Sequence, residues 1–537
     1  MNADTFVEKK NLLGALSTAA INKFGLNYCA YSLATLLLAG WLAGIFLFPK
    51  LLVALPIGVM LTLRAFKIPQ IMPAWFSRFC IFFLISYVLL LPLSQYKLYL
   101  IGGQGVDFAI FTQAIHSFAA HGHFGVSLVG TRWHDFLTHH FSPALALPGM
   151  FCLVTKLSAP SVAILLHSVA TVAALAAVYR IAAICRFSAP TAAFVTILLA
   201  MHPTFRISQF WGVHDEIFAM PLLGWAFATF LTGRYATTAF LLVCTLLCKE
   251  TMGLVVALMV VSFLLHLRTK KCTELKKAAR WLIPTAIIGL CITMAYIFVL
   301  PHWFFEPTFD GKTRICTLSQ LLETSSLGQK LSCLVLVLAP IGSLPLLSRQ
   351  ARIMLLPAVP LVGSIALSNF SEMWKPFNYY SVLPLYLCYC AGLIGVTSTS
   401  VIRGIFLDGR VLVALLAMAL SWGTFSSPTR TLLKPLGSTA PAIELRTLIP
   451  SSAVVVANDY DVSFFYDYRQ TTRLFHAQQM RVRFDFLVLR HADLEAVPRY
   501  LLSHSQLIFK NSTWLIFRRT PDPLADPLLT LWFRALN

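Results

Sequence analysis

Charge is what this sequence has least of. Only 12% of its 537 residues are Asp, Glu, Lys or Arg, against 58% that are hydrophobic. A soluble chain of this length carries roughly twice that charged fraction, so an ordinary soluble globular protein is excluded. Acids are scarcest, 22 against 42 Lys and Arg, which leaves a net charge of +20. That balance would suit nucleic acid if the cations formed a patch. Instead they gather in short loops between apolar runs, where they set membrane orientation, and no DNA- or RNA-binding signature accompanies them. The alternating pattern of a transmembrane β-barrel is missing too. The apolar runs are continuous, long enough to cross roughly 30 Å of hydrocarbon as helices, and the mean hydropathy is +0.74.

Other absences narrow the chemistry. The last hundred residues contain no Cys, so no disulfide framework holds them. Most of the twelve Cys stand in apolar runs (Cys29, Cys80, Cys152, Cys244, Cys291, Cys388, Cys390), where a thiol packs as a small hydrophobe. Cys244 and Cys248 fall one helical turn apart with no second pair nearby, which reads as packing. No HExxH motif is present. GGQG at 102–105 lacks the Gly-Lys-Ser/Thr ending of a phosphate loop. Residues 1–25 are too polar for a cleavable leader, and there is neither a solenoid-type repeat nor a low-complexity segment.

What is present is a set of apolar spans, about 13 by hydropathy and loop charge. With Lys9, Lys10 and Lys23 placing the N-terminus inside, spans are expected near 28–48, 51–65, 79–95, 160–179, 188–201, 217–231, 236–248, 252–267, 281–300, 331–347, 353–369, 379–396 and 411–424. The densest basic run, RTKKCTELKKAAR, then falls on the inside. Residues 143–157 are expected outside, as a short re-entrant or surface-lying helix. Three regions follow: 1–78 with two extra spans, a core at 79–425 with its first external loop at 97–142, and a tail at 426–537 on the non-cytoplasmic side. The tail reads as a small α/β domain. Strands are predicted at AVVVA, FLVLR, QLIFK and TWLIF, and helices at AIELRTLI and ADLEAVPRYLL. The fold class is an all-α polytopic membrane protein with a small extramembrane α/β domain.

On the outer face the scarce ionisable residues collect. Residues 102–143 hold Asp107, Asp135 and six histidines, His116, His121, His123, His134, His139 and His140, out of 14 in the chain. The other clusters are His214-Asp215-Glu216, Lys249-Glu250, and Glu372 through Tyr380. Ionisable groups beside a bilayer are costly and point to function by default. Plainer roles fit as well. Asp107 could cap the helix FAIFTQAIHSFA, Lys249-Glu250 could be a local ion pair, and His-x-His spacing arises by chance without making a zinc site. A partly desolvated carboxylate on this face can act as general base toward a hydroxyl or amine, with Arg132, Arg206, Lys249 or Lys375 near a phosphate. Trp133, Trp211, Trp303 and Trp374 suit an interfacial belt or a sugar ring.

The stretches VDFAIFTQAIHSFAAHGHF, HHFSPALALP, VHDEIFAMPLL and LCKETMGLVVAL, followed by FNYYSVLPLYL and IPSSAVVVANDYDVSFFYDYRQ, resemble in order and spacing a bacterial family of predicted membrane proteins. Its motifs read DLGIFDQ, GDHFSP, FHPE and CKED. That family is similar in turn to the GT-C class of membrane glycosyltransferases, which use polyprenyl-phosphate sugars and place an acid in the first large external loop. The resemblance implies a GT-C-like core with Asp107 as base, and His140, His214, Glu216, Lys249, Glu250 and Tyr380 about the substrate. Lys249 would contact the donor phosphate, with Glu250 orienting it. A lipid-linked sugar donor and membrane lipids are the implied partners, and a bacterial inner membrane the implied location. No metal ligand is assigned; a divalent metal ion stays an open candidate cofactor, and the oligomeric state is open. The chain departs from the motifs at Thr112, where the family has a second acid, at Asp215 in place of Pro, and at Thr251 in place of Asp. A transporter or lipid flippase, or a non-catalytic envelope protein, is the alternative.

Overall fold

A computed structural model describes residues 74–100, 104–128, most of 134–296, 348–367, 379–396, most of 441–474 and parts of 484–520. It is mostly helical. Helix α1 (Ala74–Leu100) leads to α2 (Val106–His121), a two-residue hairpin of β1 (Gly125–Val126) and β2 (His134–Asp135), and α3 (Ala146–Thr155). There follow α4 (Ala159–Ile184), α5 (Ala189–Met201), the short α6 (Pro203–Ser208), α7 (Asp215–Leu231), α8 (Tyr235–Leu246), α9 (Met252–Thr269) and α10 (Leu275–Met294). Then come α11 (Arg349–Met354), joined through a 3-10 turn at Leu356–Ala358 to α12 (Val359–Leu367), α13 (Val382–Val396) and α14 (Pro441–Leu448).

Four stretches among the described residues are long and apolar enough to cross a membrane: α4, α9, α10 and Arg349–Leu367. The expected spans near 79–95, 188–201, 217–231, 236–248 and 379–396 fall on α1, α5, α7, α8 and α13, but with apolar helical stretches of 17 residues or fewer. Burial accounts for the shortness of some of these. Every residue of α13 is buried, so that helix meets protein rather than lipid and its length is not set by bilayer thickness. The expected spans near 28–48, 51–65 and 411–424, and nearly all of 331–347, lie outside the described residues. Small residues let the long helices approach. A Cβ on Gly253 of α9 would overlap the Gly289 carbonyl of α10, a close contact typical of helices packed in lipid.

The stretch 143–157 forms a 3-10 turn and α3, with Leu147, Met150, Leu153, Val154 and Leu157 exposed. That apolar face suits a helix lying in the membrane surface. The helix stops at Lys156, whose backbone is left-handed with φ 61°.

The tail folds into a five-stranded sheet in the order β4-β3-β5-β7-β6. Strands β3 (Val454–Ala457), β5 (Phe486–Arg490), β6 (Ser505–Lys510) and β7 (Trp514–Arg519) match the predicted runs. Strand β4 (Gln470–Arg473) was not predicted, because QTTR carries no apolar run; it pairs in parallel with β3 at the sheet edge. Residues alternate between two faces. Val455, Ala457, Val488 and Ile516 join a core with α2 and the start of α4, while Val456, Leu487, Leu489 and Leu515 pack on Leu494, Val497, Leu501 and Leu502. The helix predicted at ADLEAVPRYLL is described only at Leu494, Val497, Leu501 and Leu502, of which Leu501 and Leu502 are α-helical.

The sheet is fastened to the loop after α2. Buried Ser127 bonds both backbone groups of Thr471: its hydroxyl donates to the carbonyl at 2.8 Å, and the Thr471 N–H donates back at 3.1 Å. Gln113 on α2 completes the knot, accepting from Ser127 N at 2.8 Å and donating to its Oγ at 3.0 Å. Ser127→Val strands the Thr471 backbone and the Gln113 amide in an apolar core. It is expected to weaken this docking by about 1–3 kcal/mol, read as faster proteolysis of the tail in detergent at unchanged bundle melting.

Candidate active site

The site forms where three turns meet. The first follows β2 and carries His140, Phe141 and Ser142. The second runs from Gln209 to α7 and carries His214. The third links α8 to α9 and carries Cys248, Lys249 and Glu250. Gly212 makes the second turn, with φ 97° and its Cα pressed onto the first turn of α2; a Cβ there would lie 2.9 Å from Phe108 Cβ. Only glycine meets both conditions. The third turn is pinned by Thr293 of α10, whose hydroxyl donates to Glu250 O at 2.8 Å, and by Ala144 N, which donates to Leu247 O at 2.9 Å.

At the centre is Lys249. Its Nζ lies 3.3 Å from Asp215 Oδ1 and is ion-paired to Glu216 Oε1. All three side chains are nearly inaccessible, at 13%, 3% and 8% exposure. Burial favours a neutral amine, but the Asp215 and Glu216 carboxylates outweigh it and raise the Lys249 pKa well above the lysine range. The two acids sit in the first turn of α7, where the helix dipole favours negative charge. Ser142 Oγ reaches Asp215 Oδ2 at 2.7 Å and Cys248 O at 2.6 Å, tying the first turn to the other two. Glu250 faces away from this knot. It accepts from Phe141 N at 3.1 Å and pairs with His140 Nδ1 at 3.3 Å. Tyr380, in the 3-10 turn Tyr379–Ser381, is half-buried within electrostatic reach of Lys249.

Asp107 stands at the open side. The helix begins at Val106 with Gly105 as its N-cap, so Asp107 lies inside the first turn and is not the cap that the sequence allowed. Its carboxylate is 41% exposed, and Oδ2 lies 4.0 Å from Nε2 of buried His214. Burial drives the His214 pKa down to about 4, against the upward pull of Asp107 and Asp215, with Lys249 and His167 adding to the fall. His214 is therefore neutral at pH 7. Phe111 meets its ring edge-on at 5.8 Å and leads through Phe136 to His140.

Asp107, His140, His214, Glu216, Lys249, Glu250 and Tyr380, drawn from four sequence clusters, thus come together. Of the loop's other histidines, His116, His121 and His123 do not join them. His116 packs edge-on to Tyr466 at 5.5 Å, and His121 and His123 pair at the exposed end of α2. His139, Arg132, Trp133, Trp211, Trp303 and residues 370–378 lie outside the described residues. Thr112 is fully buried and spends its hydroxyl on Phe108 O and Ala109 O. Sequence reasoning overlooked Ser142, although it stands in the HFSP stretch. It also left Asp215 among neighbours instead of at the lysine.

The residues fit a divalent cation poorly. Among the described residues no three His, Cys, Asp or Glu side chains converge on one point. Glu216 Oε2 is buried without a hydrogen bond, but the place between the two acids is filled by the ammonium of Lys249.

Residues 97–485 match the family described as "Predicted membrane protein (DUF2079)". The chain belongs to this family. No curated protein matches the sequence. Among solved structures, ArnT from Cupriavidus metallidurans bound to undecaprenyl phosphate aligns with a TM-score of 0.50 at 11% identity, over 83% of this chain and 99% of that one. ArnT in the apo state gives 0.48 at 12% identity, over 81% and 98%. The arabinofuranosyltransferase AftD from Mycobacteria gives 0.44 at 14% identity, over 82% of this chain and 40% of that one. These neighbours are GT-C glycosyltransferases, and at such identity the ArnT likeness is one of fold. This DUF2079 member is thus an integral membrane protein with a GT-C-like helical architecture.

Two expectations follow for it. The unfolded chain takes up a proton at His214 near pH 6.5, which the folded protein refuses until about pH 4. The stability from neutral His214 is therefore complete above pH 6.5 and lost as pH falls to about 4, on the order of 3 kcal/mol in all. Melting across this window should show the loss, and His214→Gln should flatten it. Lys249→Met leaves two buried carboxylates without their cation and should destabilise by about 3–5 kcal/mol. Adding Asp215→Asn should restore part of the melting temperature.

Proposed function

We propose that this chain is a membrane glycosyltransferase that moves a sugar from a polyprenyl-phosphate donor to an envelope acceptor at the non-cytoplasmic face of a bacterial inner membrane. The observation that carries this is the half-exposed Asp107 carboxylate held beside buried, neutral His214, at the mouth of a cluster built from separate turns. The structural neighbour crystallised with undecaprenyl phosphate has the same fold over most of the chain, which supports a lipid-linked donor.

Asp107 accepts the proton of the acceptor hydroxyl as that oxygen attacks the anomeric carbon. The bond from that carbon to the phosphate oxygen breaks, and the lipid phosphate leaves with the electron pair. His214, buried and neutral, stands beside the Asp107 carboxylate without placing a positive charge on it. Glu250 orients His140, 41% exposed at the same opening, as a hydrogen-bonding group for substrate. Lys249 is committed to Asp215 and Glu216, so its part is to hold the acidic cluster and not, as the motif alone implied, to hold the donor phosphate. No step is routed through a metal ion. The chain is read with about 13 spans, and the tail domain 426–537, fastened beside α2, covers or binds the acceptor.

The test is turnover of radiolabelled polyprenyl-phosphate sugars by purified protein, beside folded Asp107→Asn in the same detergent. Loss of roughly 100- to 10,000-fold in kcat is the expected result for a general base. Donor binding without turnover, unchanged by the substitution, would move the assignment to a lipid flippase.

A further inference from the structure

Beneath the site lies a second set of polar side chains that the mechanism above does not use. Gln209 stands on the turn after α6. Its Oε1 accepts from His167 Nε2 at 2.9 Å and lies 2.5 Å from the Thr171 hydroxyl, both on α4. Its amide donates to Phe205 O at 3.2 Å. Its backbone carbonyl accepts from Gln95 Nε2 of α1 at 2.6 Å. Gln95 in turn accepts at its own carbonyl from Gln104 Nε2 at 3.2 Å, and at Oε1 from Ser168 at 3.3 Å. Gln95, Gln104, His167, Ser168, Thr171 and Gln209 are all buried. Apolar side chains of similar volume would join helices in a bilayer without any polar group to satisfy, so this set needs a reason beyond cohesion.

Its two ends show the reason. Gln104 comes three residues before Asp107, and Gln209 five before His214. Between them, Gly212 rests on Phe108 in the first turn of α2, with Gln104 Oε1 3.4 Å from where a Cβ would be. His167 is close enough to His214 to disfavour charge on it. The network therefore grips both backbone segments that bring the acid and the imidazole to 4.0 Å.

We propose that Gln209 is a positioning residue which, with Gln95 and His167, fixes Gln209 and Gly212 against α4 and the start of α2 and so sets the approach of His214 to Asp107. Its chemical meaning rests on the transferase assignment; its geometry does not. Short buried hydrogen bonds in a low-dielectric setting hold such a register tightly, and a shift of about 1 Å at a reacting pair can cost on the order of 100-fold in rate.

The variant is Gln209→Leu, near the same size without acceptor or donor. Two readouts are taken on folded protein in detergent: acylation of His214 by diethyl pyrocarbonate, mapped by mass spectrometry against exposed His121 and His123, and kcat and KM for a polyprenyl-phosphate sugar. His214 labelling should rise at least about fivefold as the segment opens, with His121 and His123 unchanged. The kcat should fall about 10- to 100-fold with KM nearly constant. Gln209→Glu, protonated at a buried site and so presenting the same carbonyl and one donor, should recover most of both. If Gln209→Leu does not fold, Gln95→Met, which removes the tie to the Gln209 carbonyl and the acceptor of the Ser168 hydroxyl but leaves the Gln209 side chain bonded to α4, is read in the same way. A folded variant whose His214 stays as protected as in the wild type overturns the proposal, as does failure of both variants to fold, which would make the network structural. Loss of protection in a protein whose wild type is inert supports the positioning and overturns the transferase assignment, so the two failures are told apart.

Discussion

The contact on which the site depends is the buried ammonium of Lys249 between Asp215 and Glu216. Charges so removed from water are tolerable only when paired and hydrogen-bonded, and satisfying them draws in the neighbouring turns. The acids come from the start of α7 and the amine from the turn between α8 and α9. Ser142, bonded to Asp215 and to Cys248 O, brings the turn after β2 to the same point. Glu250, next along from the lysine, then holds the backbone of Phe141 and the ring of His140. A single electrostatic requirement thus sets three loops that are far apart in sequence, and it leaves Asp107, outside the knot, as the exposed acid.

A division of labour follows among the ionisable groups. Those at the knot are buried and matched, which makes them suited to holding shape and poorly suited to exchanging protons with a substrate. Asp107 and His140 are each 41% exposed and stand at its rim. Between the two sets His214 is buried and neutral, in contact with both. Below lies the hydrogen-bonded set around Gln209, which carries no formal charge at all. Charge is thus graded from the open side inward, with neutral amides, hydroxyls and an imidazole beneath the ion pairs. That order is what a low dielectric imposes, because each charge moved deeper is harder to compensate.

Much of this was legible in the sequence, and the limits have physical causes. Long apolar runs marked α4, α9 and α10, since their length answers to the bilayer. The strands at 454–457, 486–490 and 514–519 were visible because both faces are largely buried and the runs are apolar, and 505–510 because its apolar residues are flanked by polar ones, although alternate side chains of this edge strand are exposed. Strand β4 was not, since Gln470–Arg473 is held by its neighbour's backbone and not by its own side chains. The site residues could be picked out as ionisable groups in an apolar chain, but their pairing could not. Adjacent Lys249 and Glu250 looked like one local ion pair, whereas each turns to partners more than thirty residues away. Gln95, Gln104 and Gln209 escaped notice because an uncharged amide stands out less than a carboxylate. Ser142 escaped because one hydroxyl gives no pattern.

The departures from the family motifs make sense in the same terms. Proline suits the first position of a helix, where its missing N–H has no partner to lose. At that position of α7 this chain has Asp215, which accepts from Ser142 and adds a second carboxylate to Lys249. The second acid of the loop motif is replaced by Thr112, whose surroundings are fully buried and whose hydroxyl is satisfied by its own helix. A carboxylate could not be satisfied by those same carbonyl partners. Relative to the motifs it resembles, the chain therefore has one acid fewer on α2, one fewer after Glu250, where Thr251 stands, and one more at Asp215 against the lysine. Among the described residues Asp107 is left without a second carboxylate on its own helix face and lies beside the imidazole of His214, an arrangement that agrees with the proton acceptor proposed for it and lacks the paired carboxylates that a hard divalent cation favours.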